Sequence, residues 1–206
     1  NPLDRWLFGH WLPQAASGAA RPPVHLLGAS VGAWRMACAL LPDPVAEFTR
    51  MAEGYIDQRF DTAPGQLPTA AVVSRVFAAN LQLQFGGREA GLLAHPHWHL
   101  HVFTSRGRGP LLRREGRLRT PLGLAGAVAA NLLHRRALGG WMQRVVFSDP
   151  RLALPVPLTD FSSRQVTLNP ENFHPAMQAS GSIPFVLQAV HDIPGAPPGA
   201  YWDGGI

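Results

Sequence analysis

A serine flanked by glycines, Gly28-Ala29-Ser30-Val31-Gly32, offers the most direct chemistry in this sequence. An apolar run, Val24-His25-Leu26-Leu27, leads into it, and a helix-compatible run from Ala33 to Leu40 leads out. Strand, sharp turn and helix form the context in which G-x-S-x-G acts as a nucleophile elbow, because the turn lifts the hydroxyl clear of the backbone. Glycine at positions 28 and 32 admits a close backbone approach that a side chain would block. Ser30 then stands at a helix N-terminus, where unpaired N–H groups and the helix dipole favour developing negative charge. The Val31 N–H is the expected donor to an oxyanion at this point.

A serine hydroxyl is a weak nucleophile at neutral pH and needs a base to take its proton. Two arrangements are open. Asp160 with His174 or His191 follows the Ser, Asp, His chain order of α/β-hydrolases. Asp203 stands apart from these. It closes the apolar run Tyr201-Trp202 and precedes Gly204-Gly205, a pattern that turns sharply and presents a carboxylate at a strand end. A carboxylate partly shielded from water takes a proton more readily than a solvated one.

These residues need a scaffold, and the pattern of apolar positions supplies one. Val24–Leu27 reads as a buried parallel strand, followed by a helix from Ser30 to about Leu41, where Pro42 and Pro44 interrupt it. Asp43-Pro44 reads as a cap with proline at the first helical position, ahead of a stripe through Val45, Phe48, Met51, Tyr55 and Ile56. A second stripe runs from Thr69 to Leu83. Trp98–Thr104 alternates as a strand. Leu122–Leu138 reads as a long apolar helix stopped by Gly139-Gly140, with Arg135 and Arg136 in its last turn. Arg144–Ser148 and Gln165–Leu168 are strand candidates, Pro175–Ser180 a short helix, and Tyr201-Trp202 a strand ending at Asp203. Strands alternating with helices imply an α/β sheet with crossovers, whose active sites gather at the carboxyl ends of strands. Ser30 and Asp203 both occupy such ends.

Composition bounds the function. The chain has 206 residues, 46% hydrophobic and 15% charged, which suits a single domain with a substantial core. Residues 1–23 form an N-terminal helical and loop segment ahead of the elbow strand, and the Trp6, Phe8, Trp11 stripe in it suits packing on the domain, with a membrane interface as the alternative. All 18 basic residues are arginine, yet the net charge of +5 does not by itself argue for nucleic acid. Cys38, the single cysteine, is expected as a small buried residue and excludes an internal disulfide. No apolar run reaches the roughly 18 residues of a membrane span. A start at Asn1 and a stop directly after Gly205-Ile206 are read as the marks of a segment cut at both ends from a longer protein.

Three stretches in order, Gly28-Ala29-Ser30-Val31-Gly32, Ala179-Ser180-Gly181-Ser182-Ile183-Pro184 and Tyr201-Trp202-Asp203-Gly204-Gly205, resemble the successive landmarks of the patatin-like phospholipases: G-x-S-x-G, a small-residue run ending in Ile-Pro, and D-G-[GA]. The Leu100–Gly107 strand and turn also resemble the family's internal strand. The resemblance spans residue 24 to the end. It implies a three-layer α/β/α fold with a mostly parallel central sheet, and a Ser30–Asp203 dyad that needs neither histidine nor cofactor. Ser30 would be the nucleophile, Asp203 the base, Gly28, Val31 and Gly32 the elbow and oxyanion residues, and Gly204 and Gly205 the support of the aspartate. The implied substrate is a lipid or other fatty-acyl ester, met in the cytoplasm or at a membrane periphery. The family's G-G-G-x-R-G oxyanion loop has no counterpart at the expected spacing. Gly18-Ala19-Ala20-Arg21 is too close to Ser30, so the loop is expected upstream of Asn1, and a non-catalytic patatin-like binding domain is the alternative reading.

Two further clusters compete for attention. His95, His97, His99 and His101 alternate, so a strand would place all four on one face, as a metal site would require, but the run holds no carboxylate or cysteine and is read as metal-free. Arg106, Arg108, Arg113, Arg114, Arg117 and Arg119, spaced by glycine and proline, read as a solvated loop or hairpin with contact to anionic lipid headgroups as its functional alternative. Trp34 and Arg35, beside the elbow, are expected to shape the pocket.

Overall fold

The computed structural model describes residues 2–15, 22–63 and 65–205. A helical N-terminal stretch comprises α1 (Pro2–Trp6), a π-helical segment (Leu7–Trp11) and α2 (Leu12–Ala15). Only part of its apolar stripe packs inward. Phe8 is buried against Phe48 and Trp98, whereas Leu3, Trp6 and Trp11 face outward and Trp6 stacks on Trp11. The Gly18-Ala19-Ala20-Arg21 segment lies outside the described residues.

The elbow elements form as their residues dictate: β1 (Val24–Ala29) runs into α3 (Val31–Ala39). Asp43 accepts a hydrogen bond from the Ala46 N–H at 3.0 Å and, with Pro44 in the first turn, starts α4 (Pro44–Ile56). Thr69 caps α5 (Ala70–Phe85), and α6 (Glu89–Leu93) follows. Buried Glu47 joins these helices, accepting from Gln84 Nε2 at 2.8 Å and Arg88 Nη1 at 2.7 Å. Cys38 is fully buried behind them, and burial pushes its thiol up to about 12, an inert structural residue as expected.

The long strand β2 (Trp98–Gly107) is central, and α7 (Gly109–Leu112), α8 (Arg119–Leu133), β3 (Met142–Ser148), β4 (Ser163–Thr167), α9 (Pro170–Ser180), β5 (Val190–His191) and β6 (Ala200–Asp203) complete the fold. The helix expected over 122–138 ends at Leu133, because His134 turns extended and its ring accepts from the Arg136 N–H, opening a 3-10 turn over Arg135–Gly140. Arg135 and Arg136 therefore follow α8 instead of closing it. The α9 helix begins five residues earlier than Pro175, because Asn169 and Asn172 form a reciprocal capping box ahead of Pro170.

The chain is mixed α/β, but its sheet is not mostly parallel. Among the described residues only β1–β2 and β3–β4 pair in parallel, while β2–β3, β2–β6 and β5–β6 are antiparallel. Alternating strands and helices suggested crossovers. Strand β3 instead returns from α8 against β2 in the opposite sense, and β6 folds back on β2 through β5.

This topology positions the site. Strand β3 occupies one edge of β2, and β1 and β6 share the other. β1 runs parallel to β2 and ends with Ala29 opposite Phe103; β6 runs antiparallel and ends with Asp203 opposite Thr104. The carboxyl ends of β1 and β6 thus meet head-on at one peptide of β2. The main core lies under this junction, where Leu26, Leu100, Val102, Phe147 and Tyr201 pack on Trp34, Phe85, Phe173 and Met177.

Candidate functional site

Ser30 occupies a backbone conformation that few side chains adopt, with φ 54° and ψ −137°, directly between β1 and α3. Such strain costs about 1–3 kcal/mol and persists only where the surroundings hold it. The holder is Ser180, at the end of α9. The Ser30 N–H donates to both the Ser180 carbonyl and its Oγ, each at 2.9 Å, while the Ser180 hydroxyl donates to the Phe103 carbonyl at 2.7 Å. The Ser180 carbonyl also receives the Gly204 N–H at 3.2 Å. One residue therefore ties the elbow, the central strand and the aspartate turn together.

The two elbow glycines are not equivalent. A Cβ at Gly28 would lie 2.4 Å from the Ala33 Cα, so the strand–helix contact depends on glycine there. A Cβ at Gly32 would meet nothing within 4 Å, which corrects the expectation that both glycines are sterically required. Val31 opens α3 beside Ser30, and a first-turn N–H has no partner within its own helix.

Asp203 is buried at the end of β6. Its N–H donates to the Ser182 carbonyl, and its Oδ1 accepts the Gly205 N–H at 2.7 Å. Among the described residues the other carboxylate oxygen, Oδ2, is buried without a partner, so a Ser30–Asp203 hydrogen bond is not closed in this conformation. Catalytic hydrogen bonds are commonly long in a free enzyme and tighten on substrate. An unpaired buried carboxylate oxygen is costly, and it stands at the strand junction that also carries Ser30.

A cavity of about 530 Å³ opens over Ser30. Its walls are Val31, Trp34, Tyr55, Phe60, Val73, Phe77, Ile183, Val186 and Leu187, with Gln58 and Gly181, and none of its lining side chains carries a charge. Volume and lining match a site for a small apolar ligand with few polar contacts. Gln58 Nε2 is buried without a hydrogen-bond partner among the described residues. Gln58 stands out in no sequence pattern, and the marked run that contains Ser180 assigns that residue no role; each is brought to the site from a distant segment.

The remaining candidates are engaged elsewhere. His174 pairs with Glu89 at 2.6 Å, His191 Nε2 accepts the Glu115 N–H, and Asp160 is held by Arg144 and Arg135. None of the three lines the Ser30 cavity, and neither does Asp203, which is set apart from them by its strand end beside that of β1. Trp34 does line it, but Arg35 instead reaches Asp4 on α1 at 2.8 Å. The six arginines do not form one loop: Arg106 lies in β2 and bonds Gln143, Arg108 bonds the Gly139 carbonyl, and α7 intervenes before exposed Arg113, Arg114, Arg117 and Arg119. No helix among the described residues is long and apolar enough to cross a membrane.

The histidine run is likewise divided, because the strand starts only at Trp98. His99 bonds Asp149 at 2.9 Å, and His101 Nε2 shares a hydrogen bond with His25 Nδ1 at 2.9 Å. Among the described residues no group of three or more His, Cys, Asp or Glu side chains is placed to hold a metal ion. Burial first, and then neighbouring His25, pushes the His101 ring down to about 4. The folded protein therefore keeps this ring neutral where an unfolded chain protonates it, near pH 6.5. The resulting stability is complete above about pH 6.5 and is lost as pH falls toward about 4, at about 1.4 kcal/mol per unit. Melting temperatures followed from about pH 7.5 to about 4.5 should fall less steeply in His101→Gln than in the wild type. Equal slopes would refute this source of acid sensitivity.

Comparison of the chain with protein-family models, curated proteins and solved structures finds no match in any of the three.

Proposed function

We propose that this chain is a serine lipid acyl hydrolase, of phospholipase A or esterase type, working through a Ser30–Asp203 dyad in a three-layer α/β/α patatin-like domain. The observation that supports the reading is the head-on meeting of β1 and β6 at Phe103–Thr104: one strand leads into a strained serine, the other ends in an aspartate with an unpaired buried carboxylate oxygen. Ser30 Oγ attacks the ester carbonyl carbon while its proton passes to Asp203. The Val31 N–H at the start of α3 and the Gln58 amide are the donors this chain offers to the oxyanion. Collapse of the tetrahedral intermediate expels the alcohol, which takes the proton from Asp203 and leaves an acyl group on Ser30. Water, deprotonated by Asp203, then releases the fatty acid and regenerates the serine. The charge-free cavity over Ser30 suits an acyl chain, and the exposed arginines from Arg113 to Arg119 suit contact with anionic headgroups at a membrane surface.

A patatin-like binding domain without catalysis is the second reading, favoured by the Ser30–Asp203 hydrogen bond that is not closed, with Asp203 Oδ2 unpaired among the described residues. Labelling by a fluorophosphonate probe separates the two. The hydrolase reading expects labelling, and hydrolysis of p-nitrophenyl esters, that vanish in Ser30→Ala. A folded protein showing neither would sink it.

A further inference from the structure

A second cavity, of about 460 Å³, lies between α4 and α5, lined by Arg50, Met51 and Gly54 on one side and Asn80, Leu83 and Gln84 on the other. Trp34 and Tyr55 line this cavity and the cavity over Ser30 alike. Phe77 meets both rings edge-on from the Ser30 side, at 5.2 Å from Trp34 and 6.4 Å from Tyr55. The two spaces are therefore neighbours along one helix pair and share two aromatic residues of their lining.

We propose that Trp34 and Tyr55 form a partition that sets the length of acyl chain the site accepts. This inference rests on the reading of Ser30 as the nucleophile of an acyl ester hydrolase. The chain of a bound ester, with its carbonyl at Ser30, extends along Val73, Phe77 and Leu187 and stops against the two rings. Each methylene buried before that stop removes apolar surface from water and strengthens binding about fourfold. A methylene beyond it meets the partition or bends into solvent, and gains nothing. The two sides of the wall differ in rigidity. Trp34 is buried at the floor, with its indole N–H directed at the Met177 carbonyl at 3.4 Å, whereas Tyr55 is half exposed on α4. Tyr55 is thus the part of the wall that can be removed without disturbing the core.

The test uses p-nitrophenyl esters from butyrate to palmitate with the wild type, Tyr55→Ala, and Tyr55→Ala combined with Gly54→Phe. Gly54 lines the second cavity and a Cβ there meets no atom within 4 Å, so a phenyl ring has room to enter that cavity and shorten the space into which the tyrosine truncation opens. In parallel, saturated fatty acids of the same lengths displace cis-parinaric acid from Ser30→Ala proteins, which reads the cavity without turnover. The wild type should gain about fourfold in kcat/KM per methylene up to a break and then level off. Tyr55→Ala should move that break to longer chains, raising the ratio of palmitate to butyrate hydrolysis by about tenfold or more for even two additional buried methylenes. Gly54→Phe should move it back. A break that stays in place in both assays overturns the partition and leaves the serine hydrolase reading intact. A displacement break that moves while no Ser30-dependent hydrolysis occurs supports the partition and retires the hydrolase reading.

Discussion

Exchange of Asp203 for Asn is expected to lower ester turnover by on the order of 10⁴-fold, the upper end of what a positioned general base contributes, without loss of fold. The substitution is nearly isosteric, and the amide oxygen can still accept the Gly205 N–H that Oδ1 now holds at 2.7 Å. Only the ability to take a proton is removed. Stability moves in the opposite direction from activity. Oδ2 is buried without a partner, so a neutral amide there escapes the cost of an unpaired carboxylate oxygen. The melting temperature should hold or rise while kcat/KM falls. The double variant with Ser30→Ala should be no worse than Ser30→Ala alone, because groups that act as a unit are not additive. His174→Ala and His191→Ala should retain turnover, since both rings are committed to partners outside the cavity. Full activity in Asp203→Asn, or its loss in either histidine variant, would contradict the dyad.

What could be read from the sequence, and what could not, divides along physical lines. Elements stated by local chemistry were legible: the Asp43-Pro44 start of α4, the apolar stripe of α5, and the run from β1 through Ser30 into α3. So was the strain at Ser30, because a glycine-flanked serine between strand and helix demands a tight turn. Strand direction was not legible. Alternating elements suit a parallel sheet, and no local signal reports that β6 returns on β2 antiparallel through a two-residue β5. That return sets the end of β6 beside the end of β1 on β2, so the sequence pointed to Ser30 and Asp203 while the meeting of their strands depends on long-range pairing. Ser180 illustrates the same limit. It lies within a run that the sequence marks, but its hold on Ser30, Phe103 and Gly204 exists only once α9 has docked at the strand junction.

Gly204→Ala should damage both stability and turnover although it removes no reacting group. A Cβ built there lies 2.1 Å from the Phe103 carbonyl oxygen, a backbone atom that cannot turn aside. That oxygen also receives the Ser180 hydroxyl, and the Gly204 N–H donates to the Ser180 carbonyl. Relief of the clash must therefore push the aspartate turn off β2, shift Ser180, or both. Overpacking of this kind costs about 3 kcal/mol, and a displacement near 1 Å at the reacting groups costs about 100-fold in rate. The expected result is a lower denaturation midpoint together with a kcat/KM reduced about 100-fold at temperatures where the variant is still folded. Gly32→Ala is the matched control on the elbow side. Its Cβ meets no atom within 4 Å, and alanine favours the first turn of α3, so it should keep both stability and turnover. The contrast separates a glycine required by close packing at the junction from one that only shares its motif. Wild-type turnover in Gly204→Ala would mean that the Asp203 turn is not held against Phe103 during catalysis, and the head-on meeting of β1 and β6 could then no longer carry the assignment of the dyad.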